Sequence, residues 1–189
     1  MKSFYKTINT IFSPFLVAPF TIFLVANKNY GYLSSLLITL ITTSILTFPT
    51  FITALIALKL KLITNLHIKK QKQRMPFFIV AILSVVITIF VYNYLNYSTF
   101  LIKTIYSVFI TLTMCFAINK FTKISLHTAA ITGSVMALFL TYNNYLILFI
   151  FATAFLVGYV RIKTKNHTIT QVLLGFVISA LITTLVFLT

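Results

Sequence analysis

Residues 128–160 read TAAITGSVMALFLTYNNYLILFIFATAFLVGYV, an apolar stretch interrupted only by Asn143 and Asn144. As one continuous helix it would run about 50 Å. The hydrocarbon core of a bilayer is about 30 Å thick. The stretch is too long for one crossing and long enough for two. Adjacent asparagines suit a turn, because their short amides bond the local backbone and tolerate left-handed conformations. Two spanning helices are therefore expected, at about 125–142 and 145–160.

The same apolar character recurs on both sides of this segment. Further runs cover about 8–26, 33–58, 76–92, 99–118 and 171–188. The run at 8–26 carries Pro14 and Pro19, which should kink a spanning helix or suit a re-entrant one. With 60% hydrophobic residues, 8% charged residues and a mean hydropathy of +1.05, the chain could not cover a water-soluble fold. The expected fold is all-α: a multi-pass transmembrane helical bundle of about six to seven spans. Residues 1–189 should form a single membrane domain.

The charges are all of one sign, with 15 Lys and Arg against no Asp or Glu. On seven spans, one side collects Lys2, Lys6, Lys59, Lys61, Lys69, Lys70, Lys72, Arg74, Lys120, Lys123, Arg161, Lys163 and Lys165. The other side holds only Lys28 and Lys103. The positive-inside rule then predicts a cell-membrane protein whose basic loops are cytoplasmic. So basic and apolar a chain points to membrane lipids as partners, anionic or phosphorylated, rather than to nucleic acid.

The missing carboxylates also exclude chemistry. No acidic side chain is present to act as a base, bridge two metals or hold Mg²⁺ or Ca²⁺, and two-carboxylate glycoside hydrolysis is disfavoured. The spans contain no acid of the kind that often marks an ion or proton pathway, which argues against a transporter. Cys115, the single cysteine, lies in an apolar run and reads as a buried hydrophobe.

What remains is a set of polar turns on one predicted side. Residues 59–76, KLKLITNLHIKKQKQRMP, carry His67, Lys69, Lys70 and Arg74. Residues 119–130, NKFTKISLHTAA, carry Lys123, Ser125 and His127 at the start of a span, where free N–H groups favour an anion. Residues 160–175, VRIKTKNHTITQVLLG, place His167 six residues after Arg161, and Gln171 four after that. If 167–171 forms the first turn of the last helix, the His167 and Gln171 side chains share a face. Two spans separate each turn from the next, so all three should meet at one membrane face. Arginine forks hold phosphate oxygens. One histidine could attack phosphorus while another protonates the leaving oxygen.

These residues resemble the signature of the type 2 phosphatidic acid phosphatase superfamily of membrane lipid phosphatases. That signature joins a Lys and a downstream Arg-Pro, then Pro-Ser-Gly-His, then Ser-Arg followed by His and Asp. Arg74 lies near Pro76, with His67 where the Lys would fall; Ser125 and His127 match the second part; Arg161, His167 and Gln171 keep the spacing of the third. The resemblance covers about 59–189 and implies a phosphatase-like core there. It makes His167 the nucleophile and His127 the general acid. Arg74, Ser125 and Arg161 hold the phosphate, with Gln171, Lys69, Lys70 and Lys123 in support. It implies hydrolysis of a lipid phosphate or prenyl pyrophosphate with no metal or other cofactor. The chain departs from the pattern at Met75, Ile124, Leu126 and Val160, and Gln171 stands in place of the Asp. Such departures equally suit an inactive relative that binds anionic lipid or a protein partner in the membrane.

Overall fold

The structure is a computed structural model that describes residues 2–63 and 71–189. His67, Lys69 and Lys70 lie outside the described residues. Every regular element among the described residues is helical. In chain order these are α1 (Lys2–Ile11), α2 (Pro14–Asn27), α3 (Tyr32–Lys59), α4 (Met75–Tyr94), α5 (Thr99–Ile118), α6 (Leu126–Tyr142), α7 (Phe151–Lys163) and α8 (Ile169–Leu188). Short 3₁₀ turns lead into α4 at Lys72–Arg74 and into α7 at Tyr145–Ile150.

Five helices are long and apolar enough to cross a membrane, and a sixth crossing arises if the bent pair α1–α2 is taken as one. The chain is thus a multi-pass helical membrane protein. The remaining helix, α6, is apolar but has 17 residues, about 26 Å of rise. It packs along α8, α2 and α7 in the interior of the bundle.

Packing follows the logic of a protein dissolved in lipid. On α8, Leu173, Val177, Leu181 and Leu185 recur every fourth residue and face outward. Gly175, Ser179 and Thr183 face inward. Small and hydroxylic residues let helices approach where the surrounding solvent is as apolar as leucine. Several of the buried hydroxyls turn back onto their own helix, as Thr21, Thr39, Thr88 and Thr141 do with carbonyls four residues earlier. Tyr92 reaches across to Thr42 at 2.7 Å and ties α4 to α3. Gly133 and Gly158 mark two close helix approaches. A Cβ at Gly133 would stand 2.6 Å from Ser179 Oγ, and one at Gly158 would stand 2.8 Å from Val172 Cγ1.

Breaks fall where local chemistry demands them. The run read at 8–26 is two helices that meet at 42°. Pro14 has no N–H and fits the first position of α2, whereas continuing α1 through it would clash with a preceding carbonyl. Pro19 and Pro49 stay inside α2 and α3 without ending them. Asn143 is left-handed, with φ 49°, and its N–H caps Phe139 O. Asn144 Oδ1 accepts from Leu146 N at 3.0 Å. The asparagine pair is therefore the turn expected here, and it separates the shorter helix α6 from the crossing that contains α7.

The helix ends divide into two sets. At one end, Lys28 Nζ bonds the Thr141 carbonyl and stands 3.9 Å over the Phe100 ring. Lys103 Nζ caps Phe187 O there at 2.9 Å. At the other end the turns 71–74, 119–125 and 164–168 are laced together. Gln71 Nε2 donates to Asn119 O at 2.6 Å, Arg74 Nη1 to Ile124 O at 3.3 Å, and Lys123 Nζ to Asn166 O at 2.8 Å.

Candidate functional site

The spacing of Arg161 and His167 has a backbone cause. The Arg161 carbonyl accepts from Asn166 N at 3.1 Å and from His167 N at 3.2 Å, closing the C-terminus of α7. Lys165 turns left-handed, with φ 54°, to allow this. The chain doubles back, and His167 returns over the turn that carries Arg161. Both side chains are buried, with 6% of Arg161 and 7% of His167 exposed.

His167 precedes α8 instead of lying in its first turn, contrary to the expectation that 167–171 is helical. Thr168 is the cap, and Thr168 with Gln171 forms a capping box: Thr168 Oγ1 accepts from Gln171 N, and Gln171 Oε1 accepts from Thr168 N at 3.3 Å. That folds the Gln171 side chain back to within 3.2 Å of His167 Nδ1. The expected pairing is present, built by a cap and not by a shared helical face.

The capping box also decides the imidazole tautomer. Thr168 N–H is a donor, so the Gln171 atom facing it is the oxygen. The same oxygen faces Nδ1 and can only accept. Nδ1 therefore carries the ring proton, and Nε2 carries the lone pair.

Electrostatics keep that ring neutral. Burial pushes His167 down to about 3, helped by the positive charges of Arg161, Lys123 and Arg74, and opposed by the Gln171 bond. These three cations come from α7, the α5–α6 turn and the start of α4, so all three turns reach one imidazole. Arg74 is the N-cap residue of α4, and Pro76 sits in the first turn of that helix, where a missing N–H costs nothing.

The other predicted residues take different positions. Ser125 is fully buried and caps α6; its Oγ stands 2.8 Å from Thr128 Oγ1 and accepts from Thr128 N at 3.4 Å. Its backbone N–H donates to Gln171 O at 3.2 Å, joining the second turn to the third. The Ser125 hydroxyl thus serves the helix cap. His127 stands half-buried in the first turn of α6, two residues beyond Ser125.

Three contributors were missed in the sequence. A Cβ at Gly175 would lie 2.6 Å from Ser125 O, so the glycine lets α8 touch the start of α6. Asn119 bonds Gln71 O at 3.2 Å and helps close the first two turns. Asn9 of α1 accepts from Arg161 Nη1 at 3.1 Å across most of the chain. None of the three had a readable sequence signal, whereas the Thr168-x-x-Gln171 capping box, also not read, did.

No family model, curated protein or solved structure matches this chain. Fold and site together define its class: a multi-pass helical membrane protein with a cationic, imidazole-bearing cluster of turns at one end of the bundle.

Proposed function

We propose that this chain is a divergent phosphatase of the type 2 phosphatidic acid phosphatase kind, hydrolysing a lipid phosphate or prenyl pyrophosphate at the bilayer surface. One observation carries the reading: the buried His167 ring faces Gln171 Oε1 through Nδ1 at 3.2 Å and lies within the field of Arg161, Lys123 and Arg74, an arrangement that favours a neutral ring with its proton at Nδ1. A nucleophilic imidazole must be unprotonated at the attacking nitrogen. Phosphoryl transfer needs fixed positive charge around the three oxygens that do not leave.

In this reading Nε2 of His167 attacks phosphorus as the bond to the leaving oxygen breaks. His127 in its protonated form gives that oxygen its proton. Water then attacks the phosphohistidine, His127 takes the water's proton, and the P–N bond breaks. Inorganic phosphate leaves and His167 returns neutral. Gln171 fixes the tautomer without supplying negative charge. The positive-inside bias supports a cytoplasmic face for this end of the bundle.

A second reading rests on how the cations are engaged. Arg74, Lys123 and Arg161 each give a donor to an acceptor within the chain, and Gln171 is neutral. That favours a relative which binds an anionic head group without turning it over. The test is release of inorganic phosphate by purified protein in detergent with a chelator present, across phosphatidic acid and prenyl diphosphates. Activity in wild type and its loss in His167→Ala supports hydrolysis. Equal inactivity of the two across the panel, with lipid binding that Arg161→Ala weakens, supports the second reading.

A further inference from the structure

Arg161 offers five N–H donors, and few of them are used. Nη1 donates to Asn9 Oδ1, while Nε is buried with no partner among the described residues. The chain has no acidic side chain that could neutralise the guanidinium. With Nη1 engaged, the edge formed by Nε and Nη2 is the one left to meet a ligand. This edge gives the two parallel bonds that match a tetrahedral oxyanion.

The partner that holds Nη1 comes from an element outside the bundle core. Along α1, Phe4, Tyr5, Ile8 and Ile11 fall on one arc, while Lys6, Thr7, Asn9 and Thr10 fall on the other. Phe4 and Ile11 are exposed, whereas Tyr5, Ile8 and Asn9 are partly covered. The helix packs against α7, and the break at Ser13–Pro14 sets its direction.

We propose that Asn9 is a positioning residue of the anion site. Its amide oxygen holds Nη1 so that the Nε–Nη2 edge faces a phosphate group. This rests on the phosphate-site reading above. The amide suits the task because it is a neutral acceptor. It orients the guanidinium without cancelling the charge that the ligand needs. A carboxylate of the same shape would neutralise Arg161 and compete with the ligand.

The experiment uses the purified full chain in detergent, titrated separately with inorganic phosphate and with short-chain phosphatidic acid. These two probes distinguish a free anion from a lipid head group. The Asn9 effect is expected on whichever binds. Asn9→Ala should weaken that binding roughly tenfold, the scale of one charge-assisted hydrogen bond. Asn9→Asp, which keeps the shape, should raise the melting temperature of the ligand-free protein while weakening binding more than Asn9→Ala does. Opposite changes in stability and affinity are what a purely structural role does not produce. The proposal is overturned if Asn9→Asp binds as wild type does, or if affinity and stability simply fall together in both variants. Binding by wild type that Arg161→Ala leaves intact removes the phosphate-site reading as well, as does failure of wild type to bind either probe.

Discussion

Mild acid should destabilise this protein through one side chain. His167 ionises near 6.5 when exposed in the unfolded chain, and burial among cations lowers it to about 3 in the folded protein. Between those values the unfolded state binds a proton that the folded state refuses. The stability associated with the neutral ring is therefore fully present above about pH 6.5 and is lost progressively as the pH falls toward 3. Each pH unit in that window costs about 1.4 kcal/mol. Acidification from pH 6.5 to 4 should then remove about 3 kcal/mol, or about 6–12 °C of melting temperature in a chain of this size.

The composition makes the effect unusually clean. Acid unfolding ordinarily reports many carboxylates, and this sequence has no Asp or Glu. The sequence holds only two other histidines, His67 and His127. Thermal unfolding in detergent, followed at several pH values for wild type and His167→Gln, isolates the contribution. The slope should be steep in wild type and largely gone in the variant, whose amide keeps its hydrogen-bonding capacity without titrating. Equal melting temperatures for wild type at neutral and acid pH would refute the argument. So would an identical acid loss in His167→Gln.

Two further outcomes follow from contacts at the same end of the bundle. Gly175→Ala would drive a methyl group to 2.6 Å from a backbone carbonyl, that of Ser125, which cannot swing away as a side chain could. The expected cost is about 1–3 kcal/mol in thermal unfolding, whereas Gly31→Ala, which meets open space, should change little. On the proposed reading, Gln171→Glu replaces a neutral acceptor by a charged one and adds about 1–1.5 kcal/mol to the bond with Nδ1. Turnover should rise roughly tenfold, and the titration of His167 should move up by about one pH unit. Unchanged turnover with an unchanged titration would show that residue 171 does not control the ring.

Much of the architecture could be read from apolar runs, because in lipid an apolar crossing of about 20 residues satisfies its own backbone as a helix. Asn143 and Asn144 were legible for the same reason: two amides in an otherwise apolar stretch have few uses except a turn. The spacing from Arg161 to Gln171 also survived translation into geometry, since it reflects a helix end, a left-handed residue and a capping box. What escaped were features that depend on neighbours remote in sequence. Gly175 is one small residue in an apolar run and has no periodic signature until α6 is placed against it. Asn9 lies ahead of the first apolar run's prolines, and its role depends on the angle at Ser13–Pro14. The start of α8 was bracketed and not fixed: the apolar run begins at about 171, after the helix starts, and a first turn at 167–171 begins before it, although Thr168 and Gln171 already marked the cap.

The absence of acidic side chains links the composition to the site. In most proteins a buried arginine is balanced by a carboxylate, which satisfies its donors and its charge together. Here the cations around His167 meet only neutral acceptors: Arg74 the Ile124 carbonyl, Lys123 the Asn166 carbonyl and Arg161 the Asn9 amide. Such partners satisfy hydrogen bonds and leave the charge standing. The resulting field adds to burial in lowering His167, and the same field favours any anion that enters. A carboxylate introduced among these turns should therefore raise the His167 titration and weaken anion binding in the same variant. An added acid beside Arg161 that changed one without the other would separate the two effects and break the link.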